Sequence, residues 1–143
     1  MVEITHLLDT NTWIYALKGK PTALVDRLGK VPPSSVAFCS VVKAELLRGA
    51  HRYDNSAVRF AILHTLFSRH QSFPFDDTAA EFYGRIRHAL ESSGQVIGAM
   101  DMLIAAIALA NNLILVTHNT AEFSRIPSLL LEDWTQPSSS QSA

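Results

Sequence analysis

Cysteine is almost missing: Cys39 is the only one in 143 residues, which excludes an internal disulfide and a cysteine-held zinc site. In the run Val36-Ala37-Phe38-Cys39 it reads as a small core hydrophobe. Long apolar runs are missing as well. No stretch is long enough to span a bilayer, and the opening Met1-Val2-Glu3 lacks the basic region of a secretion signal, so a cytoplasmic place of work is expected. Charge of one sign is not in excess either. Twelve Lys and Arg against 13 Asp and Glu leave a net −1; the balance points to no polyanionic partner, yet leaves room for a basic rim around a local acidic site. Repeats are absent. What remains is a chain with 48% hydrophobic and 17% charged residues, ordinary for one soluble domain able to bury a core.

The first stretch that stands out is His6-Leu7-Leu8-Asp9-Thr10-Asn11-Thr12-Trp13-Ile14-Tyr15. An apolar run from Ile4 to Leu8 stops at a carboxylate, and an apolar pattern then resumes at helical spacing through Trp13, Ile14 and Leu17. This predicts a buried strand followed by a helix, with Asp9 at the carboxyl end of the strand. Open α/β sheets bind their ligands at that edge; Asp is equally at home as a helix cap.

Further on, Pro21 suits a first helical position, and Leu24, Val25 and Leu28 mark a short helix. Val36 to Cys39 reads as the second strand, with Ser40 capping a helix to about His51. Val58, Ile62, Leu66 and Phe67 mark another helix, Ser72 to Phe75 a third strand, and Asp76 or Asp77 the cap of a long helix ended by Ser92-Ser93-Gly94. The segment Met100 to Ala110 is apolar nearly all round and must be packed on more than one side. Leu113 to Val116 gives a fourth strand, and Leu129 to Leu131 a candidate fifth. Alternating strands and helices imply a parallel sheet covered on both faces. From Thr135 the chain is Ser, Gln and Pro, expected to be a disordered tail of residues 135–143.

Three carboxylates are candidates to meet. Asp9 ends the first strand, Glu45 sits early in the helix after the second, and Asp101 lies in the first turn of the apolar helix. The first two are placed on one sheet edge directly; Asp101 requires the loop 95–98 to bring its helix start there. Each has a bland alternative: a cap for Asp9, a contact with the helix dipole for Asp101, an ion pair with Arg48 for Glu45. Together they would repel one another and need a compensating charge. With no thiolate ligands available, that charge would be a hard, oxygen-loving ion such as Mg²⁺ or Mn²⁺, able to activate water for phosphodiester cleavage. Thr10, Asn11, Ser40, Thr117 and Asn119 are the small polar residues expected to orient ligands and waters around it.

These segments resemble the PIN-domain ribonucleases of the VapC toxin type, from bacterial toxin–antitoxin pairs. The resemblance rests on Leu7-Leu8-Asp9-Thr10-Asn11, Ala44-Glu45-Leu46-Leu47-Arg48-Gly49-Ala50, Gly98-Ala99-Met100-Asp101-Met102-Leu103-Ile104-Ala105-Ala106, Leu115-Val116-Thr117-His118-Asn119-Thr120-Ala121-Glu122-Phe123 and Leu131-Glu132-Asp133-Trp134. It covers residues 1–134 as a single domain. It implies a Rossmann-like three-layer α/β/α sandwich with a mainly parallel sheet of four to five strands, and Mg²⁺- or Mn²⁺-dependent endonucleolytic cleavage of RNA. It also implies a homodimer and inhibition by a small VapB-type antitoxin. Asp9, Glu45 and Asp101 match the family's three core acids. Where many relatives carry a fourth acid this chain has Asn119, so either Glu122 supplies the charge or Asn119 positions a water. The expected substrate is a structured RNA, a tRNA anticodon loop above others, gripped by Lys43, Arg48, His51, Arg85 and Arg87. Trp13 and Tyr15 read as core or dimer-interface residues rather than base-stacking ones.

Two other classes compete. Asp9-Thr10-Asn11-Thr12 is similar to the strand-end motif of haloacid-dehalogenase-like phosphatases, but Asn11 stands where those have a second Asp. A non-catalytic binding module on the same scaffold would not need three intact acids. The six histidines, His118 among them, form no pair that the sequence places together.

Overall fold

The computed structural model describes residues 2–137. Five short strands form one sheet: β1 (His6–Leu8), β2 (Val36–Cys39), β3 (Ser72–Phe73), β4 (Ile114–Val116) and β5 (Leu131–Glu132). All four pairings are parallel, in the order β3-β2-β1-β4-β5, with Leu7 opposite Ala37 and Leu8 opposite Val116. The sheet is flanked by α1 (Thr10–Lys18), α2 (Thr22–Lys30), α3 (Ser40–Ala50), α4 (Ser56–Phe67), α5 (Asp77–Ser92), α6 (Ala99–Ala110) and α7 (Thr120–Phe123). From β1 the chain winds outward to β2 and β3, then returns to the other side of β1 for β4 and β5. The connections therefore part between β1 and β4, and a crevice opens there at the carboxyl ends of the strands.

Several boundaries differ from the sequence expectation for local reasons. The third strand stops at Phe73 rather than Phe75 because Pro74 has no N–H to continue the ladder. The fifth strand is Leu131–Glu132, shifted from the 129–131 expected. Pro21 is the residue preceding α2, not its first residue. Ser40 is the first residue of α3 and exposed, with Cys39 in the capping position and no side-chain cap formed. Asp76 does cap α5, accepting from the Ala79 N–H at 3.0 Å. Gly19 ends α1 at φ 76°, a left-handed conformation that glycine adopts without a Cβ clash.

The core centres on the sheet and α6. Leu7, Leu8, Val36, Ala37, Phe38, Leu115 and Val116 are fully buried, as are Ala105, Ala106, Ile107 and Ala108 of α6. Each fully buried leucine or isoleucine contributes about 2 kcal/mol, so burial, not end-capping, holds a helix this apolar in place. Trp13 stacks on Phe38 with ring centroids 4.3 Å apart, and Phe67 meets the same ring edge-on. Trp13 is thus a core residue. Among the described residues no helix is long and apolar enough to cross a membrane. Thr135 is tied by hydrogen bonds to Asp133, while 138–143 of the expected tail lie outside the described residues.

Candidate active site

The crevice is built from Asp9 outward. Asp9 leaves β1 in extended conformation and caps α1: its Oδ1 accepts the Thr12 N–H at 2.9 Å, and its own N–H donates to the Val116 carbonyl at 3.1 Å. Its Oδ2 accepts the Thr117 hydroxyl at 2.6 Å, and the Thr117 oxygen in turn accepts the Asn119 N–H at 2.9 Å. The Thr12 hydroxyl closes the ring by donating to the Val116 carbonyl at 3.2 Å. Asp9, Thr12 and Thr117 are all buried. Capping and site-building are therefore not alternatives here. A carboxylate offers about four lone-pair positions, so two stay free toward the crevice.

Glu45 projects from α3 toward the same junction, where its Oε1 accepts the Thr10 hydroxyl. Among the described residues it makes no ion pair with Arg48. Asp101, half-buried in the first turn of α6, is pushed up to about 6 by desolvation and then by the charges of Asp9, Glu45 and Glu122. The loop 95–98 does bring the start of α6 to this edge, and four carboxylates share one electrostatic neighbourhood. Among the described residues no three His, Cys, Asp or Glu side chains are drawn up around a single point. The donor set is all oxygen, because burial pushes the Cys39 thiol up to about 11 and keeps it protonated. Crowded oxygen donors with a desolvated acid among them fit a hard divalent cation.

The remaining candidates divide. Thr10 and Thr117 bond directly to the acids, and Asn119 reaches them through Thr117. Ser40 and Asn11 are exposed, and neither side chain makes a hydrogen bond to the acids. Lys43 turns its ammonium over the Phe67 ring at 5.0 Å. Arg48 is exposed on α3 and His51 is exposed at its C-cap, edge-on to Phe60. On α5, Arg85 lies over Phe82 and Arg87 donates to Tyr83 and Glu91; these two partners hold the Arg87 guanidinium above its ordinary value. The sequence reading missed Thr12, whose polar role looked like part of the apolar helix pattern. It also missed a groove of about 420 Å³ between α1, α3 and α4, in which Ile14, Leu17, Leu46 and Ile62 make the apolar wall. Glu45 stands at this groove too, and Lys18, Arg52 and Arg59 line it, Arg59 lying 3.9 Å over the Tyr53 ring.

A parallel sheet with acids gathered at its switch point is the arrangement of one nuclease fold. The PIN domain family model matches residues 6–129, and the chain belongs to that family. Within it, the likeness to VapC proteins is close. Ribonuclease VapC2 of Rickettsia felis is 36% identical over 130 residues, 90% of this chain and 97% of that protein. The tRNA(fMet)-specific endonuclease VapC of Shigella flexneri is 34% identical over 132 residues, 92% of this chain and 99% of that one. Two solved complexes superpose on nearly the whole chain. VapBC2 from R. felis bound to a fragment of its promoter DNA gives a TM-score of 0.83 at 34% identity, covering 92% and 99% of the two chains. DNA-bound VapBC from Salmonella typhimurium gives 0.85 at 33%, covering 92% and 98%. Family membership decides against the phosphatase alternative.

Proposed function

We propose that this chain is the toxin of a type II toxin–antitoxin pair, a divalent-metal-dependent endoribonuclease. The observation that carries the reading is the gathering of Asp9, Glu45, Asp101 and Glu122 at one sheet edge, with Asp101 pushed up to about 6 by burial and then by the other three. Asp9 and Asp101 would hold Mg²⁺ or Mn²⁺, joined by Glu45 and Glu122. Such an ion supplies Lewis acidity that activates water and offsets charge building on the phosphodiester.

The chain's own residues do the rest. Thr12 and Thr117 fix both oxygens of Asp9, so its free lone pairs face the crevice without rotamer search. Thr10 holds Glu45 in reach of the attacking water, where the carboxylate orients it for in-line attack. Asn119, whose N–H donates to Thr117, would position a water with its side-chain amide. Hydrolysis would leave a cut RNA strand. A structured RNA is the expected substrate, and a tRNA anticodon loop the first to test, since the S. flexneri relative is named as specific for tRNA(fMet).

A VapB-type antitoxin is the expected partner, and the α1–α3–α4 groove is where it would lie. Leu17 and Ile62 are each almost half exposed there, an apolar surface beside Glu45. A homodimer working in the cytoplasm completes the proposal. Expression of wild type beside Asp9→Asn, with mapping of new RNA 5′ ends, tests it: cuts in the wild-type profile only are expected. Identical profiles would sink the nuclease reading.

A further inference from the structure

The carboxylates do not account for everything at this edge. His118 stands between Thr117, which bonds to Asp9, and Asn119, in the loop leaving β4. Its side chain is 54% exposed, yet its ring is fixed from behind. Nδ1 lies 3.0 Å from Asp133 Oδ2 and 3.0 Å from Thr135 Oγ1. Thr135 itself donates to Asp133 Oδ1 twice, from its hydroxyl at 2.6 Å and its N–H at 2.9 Å. The carboxylate can only accept, and the Thr135 hydroxyl hydrogen is already spent on it. The hydrogen on Nδ1 therefore points to Asp133, which settles how the ring is turned. Nε2 is left without a partner among the described residues.

An exposed ion pair of this kind contributes roughly 0–1 kcal/mol to stability, and the ring fills no space in the core. Asp133 and Thr135 are nonetheless organised around one exposed ring, one residue along the chain from the Thr117 that bonds to Asp9. Burial would raise Asp133, but the bonds from Thr135 and His118 outweigh it and hold the carboxylate below its usual range, ionised behind the imidazole. A carboxylate that orients a histidine through Nδ1 leaves Nε2 for a second, reacting or bound group.

We propose that His118 is a substrate contact, offering Nε2–H to a backbone phosphate of the RNA next to the bond being cut, with Asp133 and Thr135 as its positioning residues. The contact supplies a hydrogen-bond donor to a strand that the acids of the site would otherwise repel. The inference rests on the ribonuclease reading given above.

The test uses the full chain freed of its antitoxin, with an RNA that the wild type cuts in Mn²⁺. His118→Asn keeps an amide at the Nδ1 place and nothing at the Nε2 place, whereas His118→Gln puts an amide nitrogen at the outer one. For His118→Asn, KM is expected to rise about tenfold, the loss of one charge-assisted hydrogen bond. His118→Gln recovers part of KM, Asp133→Asn raises it less, and all melting temperatures stay unchanged. Binding of the same RNA to Asp9→Asn protein weakens by the same factor when His118→Asn is added. Equal KM in wild type and His118→Asn would overturn the contact and leave the nuclease standing. A fall confined to kcat would overturn it too. A wild type that cuts no RNA would remove the nuclease reading, and the contact with it.

Discussion

The β1–α1 junction and the first turn of α6 each present an aspartate to the same crevice, and they treat it in opposite ways. Asp9 is buried and satisfied: a backbone N–H and a threonine hydroxyl hold its two oxygens, and it helps close the fold. Asp101 is half-exposed and strained by desolvation and then by like charge; its proton is retained to about 6. One carboxylate is part of the structure whether or not a cation is present. The other is costlier as an anion, a cost that something positive would offset. Burial alone does not decide a carboxylate's role, since the more deeply buried acid is the more comfortable one.

That contrast can be broken at several points. The largest effect is expected for Asp9→Asn, which should lower cleavage by about 10³-fold or more, judged by loss of product in a timed RNA digest. Asp9→Ala adds a structural cost of about 2 kcal/mol, because the α1 cap and the Thr117 hydroxyl both lose their acceptor; denaturant unfolding reads this. Next comes the groove: Leu17→Glu with Ile62→Glu should weaken capture of the antitoxin by about 10- to 100-fold while cleavage by the free toxin is retained. Titration calorimetry and the same digest separate the two.

Asp101→Asn should sharpen the contrast from the other side. It abolishes cleavage as Asp9→Asn does, yet raises the stability of the ion-free protein, by up to about 1 kcal/mol once solvent screening is allowed for. The smallest expected effect is a pH dependence with a definite sign. Because the Asp101 carboxyl is raised in the folded chain, ion-free protein is favoured at low pH and loses that advantage as pH climbs from about 4 through about 6. Melting temperature should fall over that window, and saturating Mg²⁺ should reverse the trend. A flat profile in wild type, or the same slope in Asp101→Asn, would mean that Asp101 does not carry the strain.

Much of this was legible in the residue order. The strand–acid–helix stretch at Asp9 and the apolar α6 carry their periodicities openly, and the gathering of acids follows once those elements are laid in a parallel sheet. What stayed hidden depends on side-chain direction across distant segments. Glu45 and Arg48 are at helical spacing, yet Glu45 turns to Thr10, thirty-five residues away along the chain. Lys43 read as a cation for RNA, but two aromatic rings from other elements draw it aside. Ser40 looked like a cap because serine caps so often; the chain begins the helix one residue earlier in extended backbone and leaves the hydroxyl to water. Asp133 and Thr135 fell in what reads as the approach to a polar tail, and only the fold brings them to His118.

Glu45 belongs to two places at once, the acidic crevice and the apolar groove beside α1 and α4. Occupants of those places are then thermodynamically linked: whatever factor a segment seated in the groove applies to the affinity for the cation, the cation must apply to that segment. In the toxin–antitoxin pair proposed above, dissociation of the inhibitor and loading of the ion would become one reciprocal equilibrium, and the free ion concentration would enter the switch alongside the supply of antitoxin.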